Sequence, residues 1–190
     1  MLRMTAKKRV LVPLAEGFEE IEAVAIIDVL RRAGVEVVTA SLKSRAVHGA
    51  HAIEIRADAE LANVDIQNFD MLVLPGGMPG TTNLMEDERV IAALKSLHAK
   101  GRATAAICAA PMVLARAGLI SKVPVTSYPS VRKQLGDADV RDEPRVLRSG
   151  QITTSQGAGT AIEFALDLVA QLCGAPKAEE LRKALIARVG

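Results

Sequence analysis

The stretch A-T-A-A-I-C-A-A-P-M-V-L, residues 103–114, decides how this chain is read. It is small and apolar up to Cys108, and Pro111 follows three positions later. Residues 103–107 read as a strand and residues 111–117 as the start of a helix. Proline suits a first helical turn, where its missing N–H has no intrahelical partner to lose. Cys108 therefore falls in the sharp turn between a strand and a helix. Such a nucleophile elbow lifts its side chain clear of the sheet and leaves the following N–H groups free to receive an oxyanion. Ala106, Ala109 and Ala110 are small enough for so tight a turn. The competing reading is a buried structural thiol, since free cysteine is among the most buried residue types.

Working outward, the same alternation of strand and helix recurs. Residues 9–14 form a first strand, 15–18 a turn, 19–33 a helix closed by Gly34, and 35–40 a second strand. A right-handed crossover makes these two strands parallel. Residues 41–56 suggest a hairpin around Gly49, and 59–68 a short helix or loop. A strand at 71–74 runs into P-G-G-M-P-G, and an amphipathic helix spans 87–100. Beyond the elbow come a strand at 123–128, a short helix at 129–135 and edge strands near Val140 and Val146-Leu147. A strand at 152–154 and a helix at 160–172 follow. Gly174 and Pro176 break that helix before a last one at 178–187. The pattern predicts an α/β doubly wound parallel sheet sandwiched by helices, in a single domain over 1–190.

Composition agrees. Of 190 residues 49% are hydrophobic, yet only three Phe and one Tyr are aromatic. The core must then be Val, Ile, Leu and Ala, as in a parallel sheet covered on both faces. Without aromatic stacking platforms, and with a net charge of only +2, nucleic acid is not an expected partner. No apolar run reaches the ~20 residues a membrane span needs, so no membrane partner is expected. Cys108 and Cys173 offer neither a disulfide framework nor a C-x-x-C pair. The expectation is a soluble, reduced, cytoplasmic protein.

Ligands of such sheets bind beyond the carboxyl ends of the strands. Four strand ends carry polar or glycine-rich residues: 16–22, Gly76-Gly77, Cys108, and 155–159 with Ser155 and Gly157. Parallel strands would bring them to one crevice. Glu22 lies in a helix apolar nearly all round, close to the first strand's end. Partial burial should raise its pKa, and a protonated carboxyl beside a thiolate can donate a hydrogen bond and shuttle a proton. Glu19 and Glu20 read as solvated acids serving the helix dipole. Gly76-Gly77 permits close backbone approach to a ligand oxygen, and Gly157-Ala158-Gly159 reads as an anion site or a tight turn. His48 and His51 sit in the hairpin with no neighbouring acid or Cys in sequence to complete a metal set. His98 faces out of its helix beside Lys95 and Lys100, and Cys173 packs near Val169 and Leu172. No metal site is expected.

Four motifs in register carry a resemblance. E-E-I-E ending at Glu22, L-P-G-G ending at Gly77, A-I-C-A-A-P around Cys108 and T-S-Q-G-A-G-T near the C-terminus resemble the DJ-one/ThiJ/PfpI superfamily. The match runs from Lys8 to about Gly174 and looks closest to the deglycase branch with its bacterial relatives. The resemblance implies a flavodoxin-like sandwich and a homodimer. It implies that Cys108 is the nucleophile, that Glu22 hydrogen-bonds its sulfur, and that the N–H groups of Gly77 and Ala109 form the oxyanion hole. It further implies cofactor-free chemistry on methylglyoxal or on early glyoxal adducts of proteins. Redox sensing through sulfinic acid, chaperone action and peptidase action also occur in the superfamily.

Two departures narrow that list. The peptidase branch has a His directly after its Cys; here Ala109 stands there, which disfavours proteolysis. The deglycase branch often has a His where Tyr128 stands, and a phenol with a reference pKa near ~10 is a poorer base than imidazole. The leading reading is a glyoxalase or protein deglycase acting in carbonyl or oxidative stress. The alternative is a redox-sensing stress protein whose Cys108 has a depressed pKa and oxidises to sulfinic acid. A third reading is a binding or holdase dimer in which Cys108 is incidental.

Overall fold

A computed structural model describes residues 7–188 of the chain. The strands are β1 (Arg9–Leu14), β2 (Glu36–Ser41), β3 (Ala46–His48), β4 (Glu54–Arg56), β5 (Ala59–Glu60), β6 (Met71–Leu74), β7 (Ala103–Ile107), β8 (Pro124–Val125), β9 (Asp139–Val140), β10 (Val146–Ser149) and β11 (Ile152–Ser155). The helices are α1 (Glu20–Arg32), α2 (Gly80–Glu86), α3 (Glu88–Ala99), α4 (Pro111–Arg116), α5 (Ala161–Cys173) and α6 (Ala175–Ala184).

Seven strands form one sheet in the order β10-β11-β7-β6-β1-β2-β5. All neighbours are parallel except β10, which returns antiparallel to β11 at one edge. Successive side chains of a strand point to opposite faces. Val10 and Val12 of β1 and Val73 of β6 therefore enter the core beneath α1 and α5. Leu11, Leu72 and Leu74 enter the opposite core, under α3 and α4. Both faces are covered, and this is why the strands read as unbroken apolar runs. The chain is a flavodoxin-like α/β sandwich.

The winding reverses at β1. Strands β2 and β5 lie to one side of it, and β6, β7 and β11 to the other. Such a reversal leaves a crevice beyond the carboxyl ends of the strands. The ends of β1, β6, β7 and β11 are consecutive there, which brings the four expected segments together.

Several elements differ from the sequence reading. Residues 59–68 contribute the two-residue edge strand β5 and two 3-10 turns at Leu61–Asn63 and Ile66–Asn68. The P-G-G-M-P-G segment conceals α2, whose start is fixed by Thr81 N–H on Gly77 O at 2.8 Å and Asn83 N–H on Pro79 O at 2.9 Å. The expected strand over 123–128 shortens to β8. Thr126 N–H turns to Thr154 Oγ1 (2.9 Å) and Tyr128 N–H to Cys108 O (2.9 Å), so neither continues a ladder. Helix α6 begins at Ala175, earlier than expected; only Gly174, at φ 92°, breaks the chain, and Pro176 is accommodated in the first turn. Helix α1 is not covered all round: Ile21 is 61% exposed and Val24 49%. Among the described residues, no helix is long and apolar enough to cross a membrane.

Candidate active site

Cys108 directly follows β7 with φ +62°, a left-handed conformation that residues other than glycine rarely adopt. The turn is held on both sides. Cys108 N–H donates to Ser155 O of β11 at 3.0 Å, and Cys108 O accepts Tyr128 N–H at 2.9 Å. Ala110 N–H bonds Ile107 O at 3.0 Å, and Pro111 opens α4 immediately afterwards. The thiol is thereby lifted out of the sheet and stays half-buried. The backbone N–H groups of Ala109 and Gly77 both reach the sulfur.

Glu22 comes to this thiol from the first turn of α1 and is fully buried. Its Oε2 accepts Gly76 N–H at 2.8 Å. Its Oε1 is buried with no hydrogen-bond partner of good geometry among the described residues. The Cys108 thiol is the side chain that hydrogen-bonds this carboxyl. Helix α1 is aimed by Glu19, whose side chain caps Glu22 N–H at 2.7 Å and whose own N–H bonds Gly76 O at 2.9 Å.

Electrostatics couple the pair. Burial pushes the Glu22 carboxyl up to about 7, with a smaller push from the Glu19 charge, against the Gly76 N–H and thiol bonds. Burial also pushes the Cys108 thiol up to about 12, aided by the charge and hydrogen bond of Glu22 and opposed by the Ala109 and Gly77 N–H groups. The raised carboxyl matches the sequence expectation. The raised thiol corrects it: the nearest charge to the sulfur is negative, so burial and repulsion together outweigh the two amides. Carboxylate and thiolate do not coexist near neutrality. Between about pH 7 and about pH 12 the pair holds one negative charge and one proton, and the sulfur is anionic only while the proton stays on Glu22.

The two glycines are required by space. A Cβ on Gly76 would lie 2.7 Å from Cys108 Cβ and 2.8 Å from Glu22 Oε2. A Cβ on Gly77 would lie 2.4 Å from Glu19 N, at a φ of +94°. Gly76→Ala should therefore wedge the carboxyl and thiol apart. The expected outcome is about 1–3 kcal/mol of lost stability by urea unfolding, with at least a tenfold change in the alkylation rate of Cys108. Unchanged alkylation would show that the contact is not needed.

The remaining expected residues divide. Gly157 and Tyr128 are neighbours: a Cβ on Gly157 would lie 3.4 Å from Tyr128 Cδ2, and Tyr128 is 49% exposed. Ser155 supports the elbow through its carbonyl. Its hydroxyl is committed to Arg145 O and Thr160 Oγ1, each at 2.6 Å, and so faces no ligand.

Four readings outside the elbow are corrected. Glu20 is not solvated but 4% exposed, bound to His51. The hairpin brings acids to both of its histidines, Glu16 and Glu54 to His48 and Glu20 to His51. Glu19, Glu20 and His51 offer three ligand atoms within 4.8 Å, but Glu19 is already engaged with Glu22 N–H and Glu20 with His51. His98 is half-buried, its Nδ1 wholly so. Cys173 ends α5 exposed, although it lies one turn beyond the buried Val169 on the same helix face. Glu20 carried no signal in local sequence, since its partners come from a hairpin thirty residues on.

A cysteine on a strained strand-to-helix turn, beside a buried carboxyl at the reversal of a parallel sheet, marks a class of α/β proteins. The comparisons narrow the class. The family model described as "DJ-1/PfpI family" matches residues 8–171, and the chain belongs to that family. It is 42% identical over 181 residues to Protein dj-1beta of Drosophila melanogaster, covering 94% of this chain and 97% of that one. The crystal structure of that Drosophila protein superposes with a TM-score of 0.93, over 96% of this chain and 100% of the other. The oxidized DJ-1 of Toxoplasma gondii, 40% identical, gives 0.91 over 96% and 100%. The chain is also 35% identical over 184 residues to a Caenorhabditis elegans protein named glutathione-independent glyoxalase DJR-1.2, covering 96% and 98%.

Proposed function

We propose that this protein is a cofactor-free glyoxalase or protein deglycase, acting on methylglyoxal or on early glyoxal adducts of proteins. The observation that carries the reading is Glu22: a buried carboxyl with one oxygen held by Gly76 N–H, in contact with the thiol of a strained elbow. The similarity to a protein named a glyoxalase supports it. The Cys108 thiolate adds to the aldehyde carbon of methylglyoxal, forming a C–S bond. The oxygen gains negative charge between the Ala109 and Gly77 N–H groups and takes the proton from Glu22, giving a hemithioacetal. The Glu22 carboxylate then removes the proton from the aldehyde-derived carbon and returns one to the neighbouring carbon, while the hydroxyl proton passes from the first oxygen to the second through the enediol, producing a thioester of lactate. Water hydrolyses the thioester, breaking the C–S bond; lactate leaves and the Cys108 thiol is restored. Overall, methylglyoxal and one water become lactate, with no change in protein oxidation state.

The second reading is redox sensing, in which Cys108 oxidises to sulfinic acid held by the Glu22 hydrogen bond. The similarity to an oxidized DJ-1 structure favours it. One experiment separates the two. The protein is incubated with methylglyoxal and lactate is followed, while a parallel sample is titrated with peroxide and weighed intact. Multiple turnovers to lactate establish the glyoxalase; a selective gain of two oxygens on Cys108 without turnover establishes the sensor.

We also propose a homodimer. Ile21 and Val24 stand exposed on α1, Ile53 is 55% exposed on the hairpin, and Val24 borders a groove with Ile27 and Ile55. Sedimentation at micromolar concentration is expected to return the mass of two chains; a monomer would overturn the assignment.

A further inference from the structure

Glu20 is an unusual first residue for a helix. A carboxylate in the first turn normally faces water and favours the helix dipole from there. This one is 5% exposed at the side chain. Its partners are all hairpin N–H groups: Oε1 accepts His51 N–H at 2.6 Å and Ile53 N–H at 3.5 Å, and Oε2 meets His51 Nδ1 at 2.8 Å. Two features of the hairpin are shaped around it. Gly49 has no side chain where one would stand 2.3 Å from Glu20 Cδ and Oε1. Ala52 takes φ +64°, between the two residues whose N–H groups converge on one oxygen.

The same two segments are stitched by their backbones. Gly17 N–H bonds His48 O and Ala50 N–H bonds Phe18 O, both at 2.8 Å. The clamped segment then reaches the site directly. Glu19 N–H holds Gly76 O, Gly76 N–H holds Glu22 Oε2, and Gly77 packs where a Cβ would touch Glu19 N. Buried polar groups joined in this way fix one arrangement, because each would be costly left unpaired.

We propose that Glu20 is a positioning residue, anchoring the first turn of α1 to the hairpin tip so that Glu22 stays against Gly76 and the Cys108 thiol. The proposal rests on the reading of Cys108 and Glu22 as the working pair. It assigns the hairpin a part in the site although no hairpin side chain is placed at the sulfur. The charged groups around the clamp are Glu19 and His51 beside Glu20, and Glu16 and Glu54 beside His48. Of these, Glu19 is the carboxylate whose charge reaches Glu22.

The test is the titration of the Glu22 carboxyl, followed by carbon-13 NMR in full-length protein with labelled glutamate. In the wild type the midpoint is expected near 7. Glu20→Ala, shown folded by circular dichroism, is expected to lower it by at least one pH unit as the carboxyl swings toward water. Glu20→Gln loses the charge but keeps an oxygen for the two hairpin N–H groups, and is expected to stay close to the wild type. Gly49→Ala, which presses on the carboxyl without removing it, should shift the midpoint in the direction of Glu20→Ala and decides the matter if that variant does not fold. An unmoved midpoint in folded Glu20→Ala, or an equal shift in Glu20→Gln, overturns the proposal. The readout is ionisation and not turnover. A wild type without methylglyoxal activity would therefore sink the proposed function while the titration still decided the role of Glu20.

Discussion

In the Cys108→Ser protein, methylglyoxal loss is expected to fall at least about a thousandfold, equivalent to about 4 kcal/mol of lost transition-state stabilisation. The backbone has no reason to change. Serine occupies nearly the same volume at φ +62°, and the bonds that pin the turn, to Ser155 O and from Tyr128 N–H, are backbone bonds. What changes is the nucleophile. A thiol can share its proton with the neighbouring carboxyl, whereas an alcohol holds its proton far too tightly for Glu22 to take it up in the ground state. The amides of Ala109 and Gly77 remain and can still receive an oxyanion, so a small residue of activity is expected. Lactate formation under saturating methylglyoxal measures the effect. Retention of more than a tenth of the wild-type rate would move the chemistry away from Cys108.

Glu22→Gln is expected to alter both stability and turnover, with opposite signs above neutrality. In the unfolded chain Glu22 ionises near its ordinary 4.5; in the fold it does so near 7. Between those values the unfolded chain gives up the proton first, so rising pH favours unfolding. The stability present below pH 4.5 declines through that window and levels off above 7, a loss of about 3 kcal/mol. Glutamine does not ionise, can still accept Gly76 N–H, and should remove the slope. Urea unfolding at pH 4 and at pH 8 is expected to show the variant gaining on the wild type by about 2–3 kcal/mol between the two. Turnover should drop by about 10²-fold or more, since a positioned acid–base group contributes on that scale. Parallel stability curves would mean that the carboxyl is not held in a raised state.

The central strands of this fold were legible because they are apolar on both faces. β1, β6 and β7 have the expected ends to the residue. Cys108 was legible too, from small residues before it and Pro111 after it. The sharp turn expected there is present, with Cys108 at φ +62°. Glu22 could be singled out because a carboxylate in an apolar helix near a strand end has few places to go. Less visible was anything set by distant partners. Glu20 and Glu22 stand two positions apart, and nothing local says that one will meet a thiol and the other a hairpin. Helix α2 hid behind prolines and glycines whose local preferences are overridden by bonds to Gly77, Pro79 and Glu16. The thiol's electrostatics were misjudged for the same reason. The sign of its shift depends on which charges the fold gathers, and around Cys108 it gathers a carboxylate.

The conformation of Cys108 has a further consequence for how the sequence can drift. At φ +62° glycine is the residue the backbone itself would choose. Laboratory evolution that rewards heat tolerance alone should therefore pull position 108 toward glycine, relieving strain while discarding the sulfur. Position 76 offers no such path, because glycine is already there and every replacement collides. Libraries screened without a chemical readout should thus keep Gly76 and lose Cys108, an order of erosion that deep mutational scanning can read directly.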